Sequence, residues 1–273
     1  MMGCAMPRII DCHCHIYPDA IAERAVAGTS GFYHLPSVYN GKVSQLYELG
    51  TKLGVDHYVV FSVATTPHQT ESINEFIAAA VAQSHGTMTG LGTVHPDSQA
   101  LEKDIDHLQQ LDLRGVKLHA DIQAIAADDP RCMKIYAICQ ERGLPMLLHT
   151  GDHRFNYSNP KRIAHVLESF PDLTVVGAHL GGWSVWDEAE RVLPRYSNFY
   201  VDCSSSMYAL SSEKTLEIIR TYGAERVLYG TDFPMWPMEK EIERFYELEL
   251  TGEEQELILH KNAEKLFGIP EKE

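Results

Sequence analysis

At 273 residues the chain is long enough for one α/β barrel and short for two full domains. Hydrophobic residues make up 44% and charged residues 22%, the balance of a globular enzyme with a sizeable core. A formal net charge of −15 leaves no surplus of Lys and Arg to displace phosphate counterions, which argues against nucleic acid or an anionic lipid surface as a partner.

Short β-branched or apolar runs alternate with stretches of helical spacing along the whole chain. RIIDCH reads as a first strand and KVSQLYELGTKLG as the helix after it. VDHYVVFSVA precedes QTESINEFIAAAVAQSH, where Ile73, Phe76, Ile77 and Ala80 share one stripe, and MTGLGTVH precedes SQALEKDIDHLQQL. RGVKLH and LPMLLH are strands followed by PRCMKIYAICQERG and NPKRIAHVLESFP. LTVVGAH, NFYVDCS and ERVLYGTD each lead into a further helix, the last ending in KNAEKLFG. Eight strands, apolar nearly throughout and each followed by a helix, predict a (β/α)₈ TIM barrel formed by residues 1–273 as one domain. Residues 16–40 form the longest connection and hold Gly28, Gly31 and Pro36; they read as a loop, either a lid or an inert insertion.

No run approaches the roughly 18 apolar residues of a membrane span. The opening MMGCAMPRII has no basic segment followed by an apolar one, so no secretory signal is expected. Cys4, Cys12, Cys14, Cys132, Cys139 and Cys203 are scattered and read as buried thiols, not a disulfide framework. These features together predict a cytoplasmic protein that binds neither nucleic acid nor membrane and acts on a small molecule.

Chemistry in such a barrel collects where the strands end, and the unusual residues fall there. The first strand ends in His13 and His15, the fourth in Lys117 and His119, the fifth in His149, the sixth in His179 and the eighth in Asp232. Successive side chains on a strand alternate. His13 and His15 therefore share a face with Asp11, and Cys12 and Cys14 take the other. The other strand ends offer His and Asp, not Cys, so the histidines are assigned inward and both cysteines to the helix layer as small apolar residues. Three imidazoles and a carboxylate, from His13, His15, His149 and Asp232, suit one divalent metal ion: zinc first, then manganese, iron or cobalt.

The ordered set DCHCH, GVKLHADIQ, GLPMLLHTGD, GAHLGG, LYGTDFP and KNAEKLFG, running from residue 11 to residue 268, resembles the amidohydrolase superfamily, and within it the amidohydrolase-related branch of single-domain metal-dependent hydrolases and decarboxylases. The resemblance implies metal ligation by His13, His15, His149 and Asp232, with Asp232 also moving protons. It implies for His179 either a catalytic role that orients or polarises, or ligation of a second metal. Lys117 occupies the strand where some members carry a carbamylated lysine between two metals. One metal is expected, with Lys117 as a charged neighbour or anion holder, the alternative being a lysine paired with a buried carboxylate such as Asp11. A dimer or higher homo-oligomer is also implied.

Two reactions are open to the same ligands. The first is hydrolysis of an amide, ester or lactone, with Asp232 as general base and then acid and His179 helping to hold the developing oxyanion. The second is non-oxidative decarboxylation of an aromatic or unsaturated acid, with Asp232 protonating carbon. A barrel that binds ligand without turnover is the third reading. Tyr17, His119, Arg154, Trp183 and Trp186 fall just after strands and are candidates to touch substrate, Arg154 either through a bidentate pair with a carboxylate or as a solvated loop residue, and Trp183 either as a wall for an aromatic substrate or as packing on a neighbouring loop. His68, His95 and His153 read as loop residues or neighbours of the site, and KNAEKLFG as a helix packed under the barrel.

Overall fold

The computed structural model describes residues 7–272, so Cys4 lies outside the described residues. The strands are β1 (Ile10–His15), β2 (His57–Phe61), β3 (Met88–Gly90), β4 (Gly92–Thr93), β5 (Val116–Leu118), β6 (Met146–Leu148), β7 (Val175–Gly177), β8 (Phe199–Asp202) and β9 (Val227–Leu228). They pair in parallel in the orders β1-β2-β3 and β4-β5-β6-β7-β8-β9. β3 and β4 are one barrel strand interrupted at Leu91. The Leu91 N–H donates to Val60 O and the Gly92 N–H to Gly115 O, each at 2.9 Å, so the segment bonds both of its neighbours. The ring is completed where the Cys12 N–H donates to Tyr229 O at 2.9 Å and the His15 N–H to Phe233 O at 2.8 Å. The result is the expected eight-stranded TIM barrel.

The helices are α1 (Ala22–Tyr33), α2 (Val43–Leu53), α3 (Thr70–Gln83), α4 (Leu101–Gln110), α5 (Ala120–Gln123), α6 (Pro130–Glu141), α7 (Pro160–Ser169), α8 (Trp186–Val192), α9 (Ser212–Tyr222), α10 (Met238–Tyr246), α11 (Gly252–Glu256) and α12 (Asn262–Phe267). Local signals set several starts. Asp129 accepts from the Arg131 N–H with Pro130 in the first turn of α6, and Ser211 accepts from the Lys214 N–H at the start of α9. Among the described residues no helix is long and apolar enough to cross a membrane.

Two apolar groups organise the core. One fills the space between strands and helices. The other fills the barrel interior: Ile10, Val59, Phe61, Leu91, Leu147, Val176 and Leu228 point inward, and Ala263 and Phe267 of α12 plug the lower end, as expected of KNAEKLFG. Cys12 belongs to this interior group, whereas Cys14 lies in the outer one. The assignment of both cysteines to the helix layer is thus corrected for Cys12. The reason is a register shift between Asp11 and Cys14 in the pairing of β1 with β2. Such a bulge breaks strict alternation and re-aims the side chains beyond it. Cys12 fills the floor beneath the histidines, and Asp11 turns to the neighbouring strand, where its carboxylate accepts from the Thr231 N–H at 2.9 Å and the Thr231 hydroxyl at 2.5 Å.

Residues 16–40 are a second correction: they contain α1, a three-turn helix laid over the barrel mouth, and are not simply a loop. Gly28 and Gly31 hid it, since each glycine costs a helix interior about 1 kcal/mol relative to alanine.

Candidate active site

The bulge in β1 and a glycine opposite it set His13 in place. A Cβ at Gly230 would lie 2.9 Å from the His13 Cβ, so only glycine lets the end of β9 pass beside the imidazole. His13 Nδ1 is 2.9 Å from Asp202 Oδ2 at the end of β8. A carboxylate can only accept, so Nδ1 carries the proton and Nε2 is left bare, facing the barrel axis. There Nε2 lies 3.4 Å from Asp232 Oδ1, and His15 Nε2 lies 3.7 Å from the same oxygen. His13, His15 and Asp232 thus offer three ligand atoms within 4.8 Å of one another.

His149 and His179 complete the ring of donors. His149 Nε2 is 3.0 Å from Gly151 O, so that nitrogen carries the proton and Nδ1 is bare. His179 Nδ1 meets Ser204 O at 3.1 Å and Ser204 Oγ at 3.0 Å. The Ser204 hydroxyl gives its own proton to Asp202 Oδ1, so both partners accept from His179 and its Nε2 is bare. The two bare nitrogens, His149 Nδ1 and His179 Nε2, face each other at 3.1 Å. Lone pairs at that separation repel unless a cation or proton stands between them. Burial pushes the pKa of each of these histidines well below the ordinary value, that of His179 to about 3, which favours neutral imidazoles with lone pairs to offer. The donor set therefore fits a divalent ion, with His13, His15 and Asp232 gathered closest and His149 joined to them through His179.

Asp232 is the only carboxylate lining the cavity among the described residues. Burial raises its pKa to about 7, against the opposing effects of the Ser205 hydroxyl, which donates to Oδ2, and of the nearby Lys117. Trp236 Nε1 donates to Ser205 Oγ at 2.6 Å and holds that hydroxyl in position. His179 and Asp232 both adopt positive φ, at 61° and 58°, a left-handed backbone that costs a non-glycine residue about 1 kcal/mol or more and is concentrated at functional positions.

Lys117 is buried, with Nζ 3.4 Å from His13 Nε2 and 4.9 Å from the Phe61 ring centroid. Burial lowers its pKa to about 8, opposed by Asp202 and Asp232. The alternative pairing with Asp11 is not realised, because Asp11 is turned away toward Thr231. His119 stacks on His149 with ring centroids 4.0 Å apart and 7° between planes, and its Nδ1 accepts from the Ile122 N–H at the start of α5.

Above the donors opens a cavity of about 570 Å³. Lys117, His119, Tyr17 and Trp183 line it, together with Phe32, Tyr33 and Trp236. Arg154 does not line it, which corrects its assignment to a substrate carboxylate. Its guanidinium is held by Asp152, at 3.0 and 2.7 Å, and by Phe32 O at 2.6 Å, and its plane lies against the rings of Phe32, Tyr33 and Trp183. Arg154 staples α1 to the barrel. Trp186 likewise faces away, donating through Nε1 to His179 O at 2.9 Å.

Sequence reasoning misses Asp202, Ser204, Ser205 and Tyr33. Asp202 carries a usable signal: it ends β8, as Asp232 closely follows β9, and two residues before it Tyr200 packs against the barrel interior. Tyr33 carries none, because its helix has the composition of a loop.

The family's model, described as amidohydrolase, matches residues 10–269, and the chain belongs to that family. It is an enzyme of the metal-dependent hydrolase and decarboxylase class. A curated relative, the decarboxylase orsB of Emericella nidulans, is 28% identical over 127 residues, 39% of this chain; the matched stretch spans only 38% of that relative's length. The chain is similar in structure to an uncharacterised TIM-barrel protein, Bb4693, of Bordetella bronchiseptica (TM-score 0.80, 24% identity, 96% of this chain and 98% of that one). It is similar also to a dihydroxybenzoic acid decarboxylase of Polaromonas sp. JS666 with bound manganese and the inhibitor 2-nitroresorcinol (TM-score 0.73, 15% identity, 98% of each chain). A third is a putative 2-pyrone-4,6-dicarboxylic acid hydrolase of Pseudomonas putida (TM-score 0.67, 20% identity, 98% of this chain and 100% of that one). At these identities the likenesses establish the barrel.

Proposed function

We propose that this enzyme removes the carboxyl group of a small aromatic or unsaturated acid as CO₂, without an oxidant, using one divalent metal ion held by His13, His15, His149 and Asp232. The observation that carries this reading is the cavity. Its walls are aromatic, from Phe32, Tyr33, Trp183 and Trp236, and its one carboxyl among the described residues, Asp232, stands at the foot among the metal donors. The bound ion would supply a Lewis acid that holds a substrate oxygen. The aromatic side chains orient the ring and exclude water, and Lys117 offsets the charge of the departing carboxylate. As the bond to the carboxyl carbon breaks, its electron pair stays on the ring carbon and takes a proton from Asp232, which recovers one from solvent. Decarboxylases are also the more numerous named activity among the similar structures.

Hydrolysis of a lactone, ester or amide is the second reading. The Ser205 hydroxyl donates to Asp232 Oδ2 and fixes the carboxylate at the foot of the cavity, where it would take a proton from an attacking water, and a pyrone hydrolase stands among the similar structures. Zinc suits the nitrogen-rich donor set, and manganese is the ion bound in one structural neighbour. The test is incubation of the zinc- and manganese-loaded protein, without oxidant, with hydroxybenzoic acids and with lactones and esters. The proposal expects stoichiometric CO₂ from an acid. Acid release from a lactone or ester with no CO₂ from any acid would replace it with the second reading.

A further inference from the structure

The hydrogen bonds around Tyr33 leave its hydroxyl proton without an acceptor in the described residues. Tyr33 ends α1, and its Oη lies 2.7 Å from His119 Nε2 and 3.3 Å from His149 Nε2. His119 Nδ1 already accepts from the Ile122 N–H, so the proton of this neutral imidazole is on Nε2 and points at Tyr33 Oη. His149 Nε2 carries its own proton, since it donates to Gly151 O. Both imidazole nitrogens near the phenol are therefore donors, and neither can take the phenol proton. The side chain lines the cavity, and its ring is wedged edge-on against Trp183 with centroids 5.0 Å apart. Arg154, bonded to Phe32 O and stacked on the Phe32 and Tyr33 rings, fixes the last turn of α1.

We infer that Tyr33 is a substrate-binding residue: held as an acceptor by His119, its hydroxyl donates into the cavity to an anionic oxygen of the bound acid, its carboxylate or an adjoining oxygen substituent. This rests on the reading of the substrate as a small aromatic or unsaturated acid. It assigns α1 a function beyond covering the mouth, because the helix carries a donor that completes the binding site from above while the strand ends supply the metal donors from below. It also gives His119 a positioning role, exercised through Tyr33.

The experiment is equilibrium binding to the metal-loaded protein, read by calorimetry, with benzoate as the charged probe and nitrobenzene as its uncharged counterpart of the same shape. In Tyr33→Phe, benzoate should bind about tenfold or more weakly, the loss expected for a hydrogen bond to a charged group, while nitrobenzene binding and metal content stay as in the wild type. His119→Ala should shift benzoate in the same direction by a smaller factor. Equal weakening of both probes would mean that the phenol only packs, and undiminished benzoate binding would mean that its proton goes elsewhere; either overturns the inference while leaving the proposed reaction standing. Failure of the wild type to bind benzoate or any hydroxybenzoate would overturn the proposed substrate class and this inference with it.

Discussion

Asp202 Oδ2 sits 2.9 Å from His13 Nδ1, and the other oxygen of the same carboxylate accepts from the His179 backbone N–H at 3.2 Å and from the Ser204 hydroxyl that meets His179 Nδ1. One buried acid on β8 thereby orients two of the histidines that face the axis, without itself lining the cavity. An orienting carboxylate behind a ligating imidazole fixes its tautomer and raises its basicity.

Asp202→Asn should therefore weaken metal binding by about 10- to 100-fold while leaving the fold intact. The variant amide can present an N–H to His13 and favour the wrong tautomer. Competition with a chelator of known affinity measures the change; unchanged affinity would mean that Asp202 serves only packing.

The carboxyl of Asp232 is the group assigned to proton transfer. Asp232→Asn should lose at least about a hundredfold in kcat, the usual contribution of a positioned acid or base, with circular dichroism unchanged. Turnover at the wild-type rate would remove Asp232 from the mechanism.

Gly230→Ala tests the close passage beside His13. The added methyl meets the His13 Cβ at 2.9 Å, so the strand end or the imidazole must move. Overpacking of this kind costs about 1–3 kcal/mol, and metal affinity should fall with it. A variant with wild-type Tm and metal content would show that the barrel relaxes freely there.

Glu241 on α10 carries a pH prediction remote from the chemistry. It is fully buried; burial raises its pKa from the ordinary 4.5 to about 7, although Arg244 bonds to it and opposes the shift. A carboxyl that holds its proton more tightly when folded stabilises most below its unfolded pKa. That contribution is lost as pH rises through about 7, at no more than about 1.4 kcal/mol per pH unit. Glu241→Gln should leave stability at pH 4 nearly unchanged and raise it relative to the wild type at pH 8, read from urea midpoints. Parallel pH profiles for the two proteins would contradict the assignment.

The strand ends are readable in the sequence because a barrel places one chemical position at the end of each strand, and His13, His149, His179 and Asp232 recur there at intervals that match the βα repeat. The features that escape depend on contacts between distant segments. Strict alternation puts Cys12 outside with Cys14, whereas the register shift of β1 against β2 places it in the barrel interior. Arg154 comes after a strand and looks free in sequence, yet Asp152, two residues earlier, and Phe32, far away on α1, occupy its guanidinium. Tyr33 gives no signal because α1 turns its Arg24, Gly28 and Phe32 side toward a cavity, so it lacks the continuous apolar stripe that marks a core-facing helix.

Metal stoichiometry per chain tests the account at its centre. Wild-type protein reconstituted with zinc or manganese and freed of excess ion should hold about one ion per chain, Cys12→Ala and Cys14→Ala should hold the same, and His13→Ala or His15→Ala should hold almost none. Two ions per chain, or full occupancy without His13 and His15, would contradict it.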